Sequence, residues 1–370
     1  MNTTPTLSVI IPTYNRAALL PKTLESVLDQ TFTDYEIIVV DDGSTDRTEE
    51  AVARLVQARP GPGKRIRYLF QRNQGKSVAL NNALSVAKGA WIAFLDSDDL
   101  WLPNKLEEQF KALEKHSPQS QACFTDARFI NNPYFQGTAF ARAGKRFADK
   151  TGVLDNPMEV VGRFWVSMVT LLLSARMMAQ VGEFDSRFWV GEDDDFIFRL
   201  SLHTALCYVN SPLVLIDRTP NRTERLTEIR FRREFEVLKL RQLRFEKWLR
   251  LCEGFDGHLQ ATLRAHLGAV HSEQVNWLLV NRRYGEARHA AALAASNRWR
   301  PGIVAKWCLA MVAPALARRL VLQRSRSEKR DLYTALLHAD VKDSVPVSLP
   351  KGSAWLVAPR HRASAKNRTT

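Results

Sequence analysis

Ala93-Phe94-Leu95-Asp96-Ser97-Asp98-Asp99-Leu100-Trp101 is the stretch of this chain that decides its fold. The apolar run that begins at Trp91 stops abruptly at three carboxylates within four positions. A buried strand that ends at a ligand-binding cleft has this pattern. Carboxylates this close repel one another unless water solvates them or a divalent cation, such as Mg²⁺ or Mn²⁺ shared with substrate phosphates, neutralises them. The stretch is therefore either a metal–diphosphate site or a solvated acidic turn that caps a helix starting near Pro103.

Three further apolar segments precede this strand and alternate with segments of helical periodicity. Each segment is nearly uniformly apolar, as expected for strands that helices cover on both faces. The pattern predicts an α/β fold with a doubly wound, mostly parallel sheet. The predicted strands are Leu7–Pro12, Tyr35–Val40, Ile66–Phe70 and Trp91–Leu95.

A polar cluster follows each of the four predicted strands. Because parallel sheets bind ligands at the carboxyl ends of their strands, this coincidence favours a ligand site over a solvated turn. Neither G-x-G-x-x-G nor G-x-x-x-x-G-K-[ST] occurs, so a Rossmann dinucleotide site and a P-loop are not supported. The clusters are Thr13–Asn15, Asp41–Asp42, Arg72–Gly75 and Asp96–Asp99.

A second acidic cluster, Gly191-Glu192-Asp193-Asp194-Asp195-Phe196, opens a helix predicted to run to about His203. The helix macrodipole favours carboxylates in a first turn, and the cluster could serve that purpose alone. The alternative is that one of its carboxylates faces the cleft as a general base. The other elements predicted in this part are a loop-rich insert at 130–160, a strand at Met168–Leu173, and short strands at Leu206–Asn210 and Leu213–Ile216.

The net charge of +14 is unevenly distributed along the 370 residues. Residues 1–218 contain 24 Lys and Arg against 26 Asp and Glu, whereas residues 219–370 contain 29 against 13. The basic excess therefore belongs to the C-terminal part, where it indicates an acidic partner such as anionic lipid, nucleic acid or an anionic substrate.

The C-terminal part has the pattern of long, charged helices. We predict a helical region with an antiparallel hairpin at 219–300, a basic amphipathic or hydrophobic segment at 301–330, and a flexible tail at 331–370. The segment at 301–330 is either an interfacial helix on anionic lipid or a packed terminal helix with a solvated basic end.

Targeting signals and cysteine motifs are missing from the sequence. The polar N-terminus has no apolar signal region, and no run reaches the length of a transmembrane helix. The four cysteines are far apart with no C-x-x-C pair, so we expect reduced, mostly buried thiols. We therefore expect a cytoplasmic protein, either free or peripheral at the inner face of the cytoplasmic membrane.

Several ordered motifs within residues 6–218 resemble the family 2 glycosyltransferases, which have the GT-A fold. The resemblance implies a GT-A domain at 1–218 that transfers a sugar from a nucleotide-diphosphate sugar with inversion of the anomeric centre. The motifs are Val9-Ile10-Ile11-Pro12-Thr13-Tyr14-Asn15-Arg16, Ile37 to Asp46, Phe94 to Asp99, Val181 to Asp185, and Gly191 to Phe196.

The resemblance also implies roles for particular residues. Pro12, Tyr14 and Asp42 would line the pocket of the nucleotide base, with Asp42 accepting from the ring N–H. Arg72 and Lys76 lie where the family often adds contacts to the nucleotide.

The two acidic clusters receive different roles from the resemblance. Asp96 would contact the ribose and the metal region, Asp98 would bind Mn²⁺ or Mg²⁺, and Asp193 would be the catalytic base. A divalent cation offsets the charge of a departing diphosphate, and a carboxylate on the opposite face of the sugar takes the acceptor proton. Asp193 is not distinguished from its neighbours by the sequence, although Asp195 should point elsewhere on the helix.

The chain departs from the family pattern in two places. Ala79-Leu80-Asn81 stands where the family commonly has Ala-Arg-Asn, so a donor contact from that arginine is absent. No Gln-x-x-Arg-Trp follows the second acidic cluster, which favours transfer of a single sugar over processive synthesis. We expect a UDP-linked donor and a lipid-linked or surface-polysaccharide acceptor. The alternatives are a nucleotidyltransferase and a protein that binds nucleic acid through its basic C-terminal part.

Overall fold

The structure, a computed structural model, describes residues 4–132, 135–161, 165–219, 233–255, 257–297 and 301–323. The chain forms two compact units, one up to Leu240 and the other from Arg241. The predicted tail at 331–370 and most of the junction that follows residue 218 lie outside the described residues.

A single sheet with helices on both faces forms the first unit. Its strands are β1 (Leu7–Thr13), β2 (Tyr35–Asp41), β3 (Ile66–Phe70), β4 (Trp91–Phe94), β5 (Leu100–Trp101), β6 (Ser120–Ile130), β7 (Gly137–Thr138), β8 (Thr151–Leu154), β9 (Leu172–Ser174) and β10 (Ala205–Asp217). Its helices are α1 (Leu20–Leu28), α2 (Thr48–Ala58), α3 (Lys76–Val86), α4 (Lys105–His116), α5 (Ala139–Arg142), α6 (Pro157–Val161), α7 (Ala175–Val181) and α8 (Glu192–Ser201).

The strand order in the sheet is β3-β2-β1-β4-β9-β6-β10-β5. The first four strands run parallel, with Leu7 opposite both Tyr35 and Trp91. β1 and β2 are buried along their full length, which explains their uniformly apolar sequences. The α/β fold class is confirmed. The other half of the sheet is mixed, because β9 lies antiparallel to both β4 and β6 while β6 and β10 are parallel.

Three sequence predictions in this half need correction. The predicted strand Met168–Leu173 is a 3₁₀ turn over Met168–Thr170 followed by β9, because the Thr170 hydroxyl and N–H both bond to the Ser167 carbonyl. The two predicted short strands after residue 205 are one strand, β10, with an irregularity around Pro212. The insert at 130–160 contains β7, α5, β8 and α6, elements too short to show periodicity.

The first residue of α4 is a fully buried lysine, Lys105. Lys105 Nζ donates to Gln109 Oε1 at 2.7 Å and lies 4.0 Å from the centroid of the Trp101 ring. The Gln109 amide in turn donates to the carbonyls of Cys123 and Thr170. Burial lowers the pKa of Lys105 to about 7. This polar network ties α4 to β6 within an otherwise apolar layer.

The second unit is helical. Its first helix, α9 (Glu234–Leu251), begins in the first unit and is followed by α10 (Gly257–Val280), α11 (Tyr284–Asn297), α12 (Pro301–Val312) and a further helix, α13, at 314–323. The predicted hairpin is formed by α10 and α11, with Arg282 at φ 60° in the short turn between them. Within the described residues, no helix has the length and apolarity needed to cross a membrane.

The four cysteines are free thiols, and Cys123, Cys207 and Cys252 are buried as expected, whereas Cys308 is exposed.

Candidate active site

The ends of β1, β2 and β4 lie at the same edge of the sheet. Thr13 pairs with Asp41, and the N–H of Leu95 donates to the carbonyl of Ile10. Because these strands are parallel, the residues that follow them converge at one cleft edge. The sequence predicted this convergence for the clusters after residues 12, 40 and 95.

The predicted base-pocket residues on β1 differ in exposure. Pro12 is buried within the strand opposite Val40, whereas Tyr14, just past the strand, is 39% exposed. An exposed aromatic ring beside buried strand ends is free to stack on a planar ligand.

Asp42 anchors the loop between β3 and α3. Its carboxylate accepts hydrogen bonds from the Gln71 side chain at 2.7 Å and from the N–H groups of Gln74 and Gly75 at 2.8 and 2.9 Å. A carboxylate has about four acceptor positions, so one position remains for the predicted contact to a base. Arg72, on the same loop, is exposed.

The three carboxylates of the first acidic cluster have three different environments. Asp96 accepts an ion pair from Lys76 Nζ at 2.9 Å, and Asp98 is half-buried beside it. Asp99 is 3% exposed and accepts from the Asp217 N–H at 3.1 Å. Burial, together with the charges of Asp96 and Asp98, raises the pKa of Asp99 well above its ordinary value. Asp99 therefore helps to hold the end of β10 in place.

The carboxylates of the second acidic cluster also differ in their packing. Gly191, in the left-handed conformation at φ 81°, starts α8. Asp195 is fully buried and pairs with Arg199 at 2.9 Å, while Arg199 also donates to the carbonyls of Val181 and Glu183. Through Arg199, Asp195 therefore helps to hold the segment before α8. This agrees with the expectation that Asp195 points in a different direction from Asp193.

Lys76 brings the two clusters together. Its Nζ lies 2.9 Å from Asp96 Oδ1, 3.2 Å from Glu192 Oε1 and 3.6 Å from Asp193 Oδ1. Asp193 Oδ1 is shielded from solvent and accepts no hydrogen bond from the described residues. Burial raises the pKa of Asp193 well above its ordinary value, and the Lys76 charge opposes that rise. A carboxylate with a raised pKa at a cleft has the properties of a general base.

The donor set for a divalent cation is small. Within the described residues, no group of three or more His, Cys, Asp and Glu side chains is arranged to hold a metal ion. Mg²⁺ commonly needs only one or two protein carboxylates when substrate phosphates complete its shell. Asp98, which the sequence assigns to this task, is half-buried just after β4, at the edge of the sheet where the strand ends meet.

Two residues to which the sequence analysis assigned no separate role contact these clusters or the helix that carries Lys76. Glu192 is only 5% exposed and shares the Lys76 ammonium. Asn81 donates to the Phe184 carbonyl and accepts from the Phe184 N–H, both at 2.9 Å, which joins α3 to the segment before α8. Leu80, in the place of the family arginine, is buried in the core. The sequence signal for Asn81 was its polar side chain, directly after Leu80, where the chain departs from the family pattern.

Comparison with solved structures defines the fold of the first unit. The chain matches Staphylococcus aureus TarS with a TM-score of 0.60 and 17% identity, covering 85% of this chain and 54% of TarS. It matches TarS 1-349 in complex with UDP-GlcNAc with a TM-score of 0.60 and 19% identity, covering 87% of this chain and 91% of that one. The first unit therefore has the GT-A fold.

Sequence comparison finds similar glycosyltransferases. Residues 8–166 match the sequence model described as Glycosyl transferase family 2. An uncharacterized glycosyltransferase of Nostoc sp. is 45% identical over 101 residues, 27% of this chain and 30% of the relative. The putative teichuronic acid biosynthesis glycosyltransferase TuaG of Bacillus subtilis is 41% identical over 117 residues, 31% of this chain and 45% of TuaG. The matches thus span less than half the length of these two relatives.

Proposed function

We propose that this chain is an inverting glycosyltransferase that moves one sugar from a UDP-sugar to a hydroxyl group of a lipid-linked or surface-polysaccharide intermediate. The observation that carries the proposal is the meeting of the two acidic clusters around Lys76 at the strand ends. A donor-side carboxylate pair and a separate shielded carboxylate are what direct displacement at a sugar carbon requires.

Each residue performs one task in this reaction. Tyr14 stacks on the base, and Asp42 orders the loop beside it while accepting from the ring N–H. Asp193 accepts the proton of the acceptor hydroxyl as that oxygen attacks the anomeric carbon, and the diphosphate leaves from the opposite face. The attack and departure are in line, so the anomeric centre inverts.

The donor side of the site carries the negative charge of the diphosphate. Asp98, with Asp96 close to the ribose, would hold a divalent cation, which when bound offsets the charge that develops on the leaving diphosphate. Arg72, which is exposed on the loop after β3, is able to reach the nucleotide from the solvent side.

The choice of donor and acceptor is supported by two similar proteins. TarS, which shares the fold, has been crystallised with UDP and with UDP-GlcNAc. The name of TuaG refers to the biosynthesis of teichuronic acid, which is a cell-surface polymer. We therefore assign a UDP-sugar and a cell-envelope acceptor, and single transfer because the chain lacks Gln-x-x-Arg-Trp.

Calorimetric titration of UDP and GDP tests the donor site. We expect UDP to bind the wild type in the presence of Mn²⁺ and to bind at least tenfold more weakly with chelator, because the diphosphate charge is then not offset. Asp98→Ala should show the weak binding under both conditions. Asp155→Ala, an exposed carboxylate outside the site, serves as the control and should bind as the wild type does.

Three other outcomes would be informative. Preference for GDP would keep the enzyme class and overturn the UDP assignment. Binding that is equally tight with chelator and in Asp98→Ala would overturn the role of Asp98. Binding of neither nucleotide by folded protein would overturn the proposed function.

We also propose that the second unit attaches the enzyme to an anionic membrane surface. Val312, the last residue of α12, is 86% exposed. Leu316 and Leu320, four residues apart and therefore on one face of α13, are 49% and 48% exposed. No Asp or Glu occurs between Glu286 and Glu328, while Arg318 and Arg319 lie within that interval. Exposed apolar residues among basic ones, with acidic residues excluded, are typical of interfacial helices.

Vesicle flotation of the full chain tests the attachment. We expect co-flotation with phosphatidylglycerol-containing vesicles, little with phosphatidylcholine alone, and about a tenfold loss for Leu316→Glu, because the change puts a charge at the apolar boundary. Leu251→Glu, at a leucine of similar exposure outside this interval, is the matched control. Equal flotation of Leu316→Glu and wild type, or tighter binding to duplex DNA than to vesicles, would contradict the proposal.

A further inference from the structure

We propose that Lys76 is a positioning residue: it joins the end of β4 to the start of α8 and so sets where the base Asp193 lies relative to the donor. This inference rests on the proposed function and gives Lys76 a different task from the nucleotide contact that the sequence predicts. A lysine that binds the nucleotide would direct its ammonium toward the diphosphate, whereas a positioning lysine directs its ammonium toward protein groups.

The ammonium of Lys76 is already shared among protein carboxylates. An ammonium has three N–H donors, and three carboxylates, from Asp96, Glu192 and Asp193, lie within 3.6 Å of Nζ. The Lys76 side chain is only 17% exposed. Its reach toward a ligand in the cleft is therefore limited by contacts that the protein itself supplies.

The carboxylates around Lys76 need a cation between them. Glu192 is nearly buried, and α8 carries acidic residues at each of its first four positions, Glu192 to Asp195. Asp96 reaches the same place from a distant part of the chain. Like charges brought this close repel one another, and a buried carboxylate is costly unless it is paired. Lys76 is the cation that lies between the two elements in the described part of the chain.

The backbone that carries Lys76 is held from both sides. On the donor side, Gln74 and Gly75, immediately before it, donate to the Asp42 carboxylate. On the other side, Ser77, immediately after it, donates through its hydroxyl to the Phe188 carbonyl at 2.8 Å.

Asn81, one turn further along α3, bonds to Phe184 in both directions. Lys76 thus lies at the start of a helix that follows the loop bound by Asp42 and is attached to the segment before α8 through Ser77 and Asn81. A lysine whose backbone is held in this way can act as a fixed cross-link between the two acidic clusters. Misplacement of a catalytic group by about 1 Å can cost about 10²-fold in rate, so a cross-link of this kind acts on turnover.

Lys76→Met tests the inference, because methionine keeps the apolar stem and removes the charge. We expect its Kd for UDP to stay within about threefold of the wild type, while kcat for UDP release from UDP-glucose or UDP-GlcNAc, whichever the wild type turns over, falls about 10²-fold. Lys76→Arg should recover part of the lost kcat.

A double variant separates positioning from a general loss of structure. In Lys76→Met/Glu192→Gln, the most buried of the three carboxylates that lose the ammonium is neutralised, so we expect kcat to recover at least fivefold over Lys76→Met. A group that only contacts the nucleotide could not be rescued in this way. Because the double variant removes one charge of each sign, we expect it to be at least as stable as Lys76→Met.

Two results would overturn the inference. One is a Kd for UDP weakened more than tenfold in Lys76→Met, which would make Lys76 a nucleotide ligand. The other is a kcat that is unchanged in Lys76→Met or not recovered in the double variant. Failure of the proposed function is distinguishable, since it would appear in the wild type as absence of UDP and GDP binding or of turnover, and this inference would fall with it.

Discussion

Replacing Asp193 with Asn is expected to lower kcat about 10³-fold while the Kd for UDP changes little. The substitution keeps the size of the side chain and removes its ability to accept the proton of the acceptor hydroxyl, and general-base catalysis is worth about 10²–10⁴-fold. In the proposed function, the nucleotide binds to residues at the ends of β1, β2 and β4, so we expect UDP binding to persist. Steady-state kinetics of UDP release, together with calorimetric titration of UDP, measure both quantities.

The neighbouring Asp194→Asn is the matched control for this variant. It removes one charge from the same turn of α8, but Asp194 is not among the carboxylates that pair with Lys76. We expect it to keep most of the wild-type kcat. A reduction of kcat in Asp194→Asn as large as that in Asp193→Asn, or loss of less than a factor of ten in Asp193→Asn, would contradict the assignment of the base.

The pH dependence of the wild type gives an independent check on Asp193. A general base works only when it is deprotonated, and burial raises the pKa of Asp193. The activity should therefore fall as the pH drops through a value above the ordinary range of an aspartate. In Asp193→Asn, the residual activity should lack this acid limb, because the titrating group has been removed.

Replacing Lys105 with Met is expected to stabilise the protein by about 2–4 kcal/mol at pH 7, as replacement of a buried charged group by an apolar one can do. Lys105 is fully buried, and its pKa is lowered to about 7, against an ordinary value near 10.5. Methionine fills a similar volume and contacts the Trp101 ring. The loss of the hydrogen bond to Gln109 reduces the gain by about 1–3 kcal/mol, and the range given already includes this cost.

The gain should depend on pH in a defined direction. Between pH 7 and about 10.5 the unfolded state holds the Lys105 proton more tightly than the folded state does, so the unfolding free energy of the wild type rises with pH. The advantage of the methionine variant should therefore shrink by about 1.4 kcal/mol for each pH unit over this window. Urea unfolding at pH 7, 8 and 9, followed by tryptophan fluorescence, measures it.

Lys111→Met is the matched control, because Lys111 lies on the same helix with its side chain 61% exposed. We expect it to leave the unfolding free energy nearly unchanged at every pH, as surface substitutions usually do. A stabilisation in Lys105→Met that is constant from pH 7 to 9 would show that Lys105 does not titrate in this window.

The parallel half of the sheet could be predicted because its signals are local. Uniformly apolar runs alternating with helical periodicity define β1 to β4 without knowledge of their neighbours. The strand β9 was misplaced by a few residues, and β10 was divided in two, because an apolar run shows neither where a 3₁₀ turn begins nor whether an irregular strand continues. Those boundaries depend on hydrogen bonds to distant residues, such as the one from Gln109 to the Thr170 carbonyl.

The sequence by itself determined that two acidic clusters would lie at the ends of buried elements. The carboxylates directly follow an apolar strand or begin a helix, so their placement can be predicted from the order of residues alone. Which carboxylates are held in the protein interior was decided only by the tertiary structure. Asp99 and Asp195 are chemically identical to Asp98 and Asp193, but Asp217 and Arg199 bind them in the protein interior. Lys76 meets Asp96 and Glu192 only after the chain has folded, because ion pairs between residues distant in sequence depend on packing.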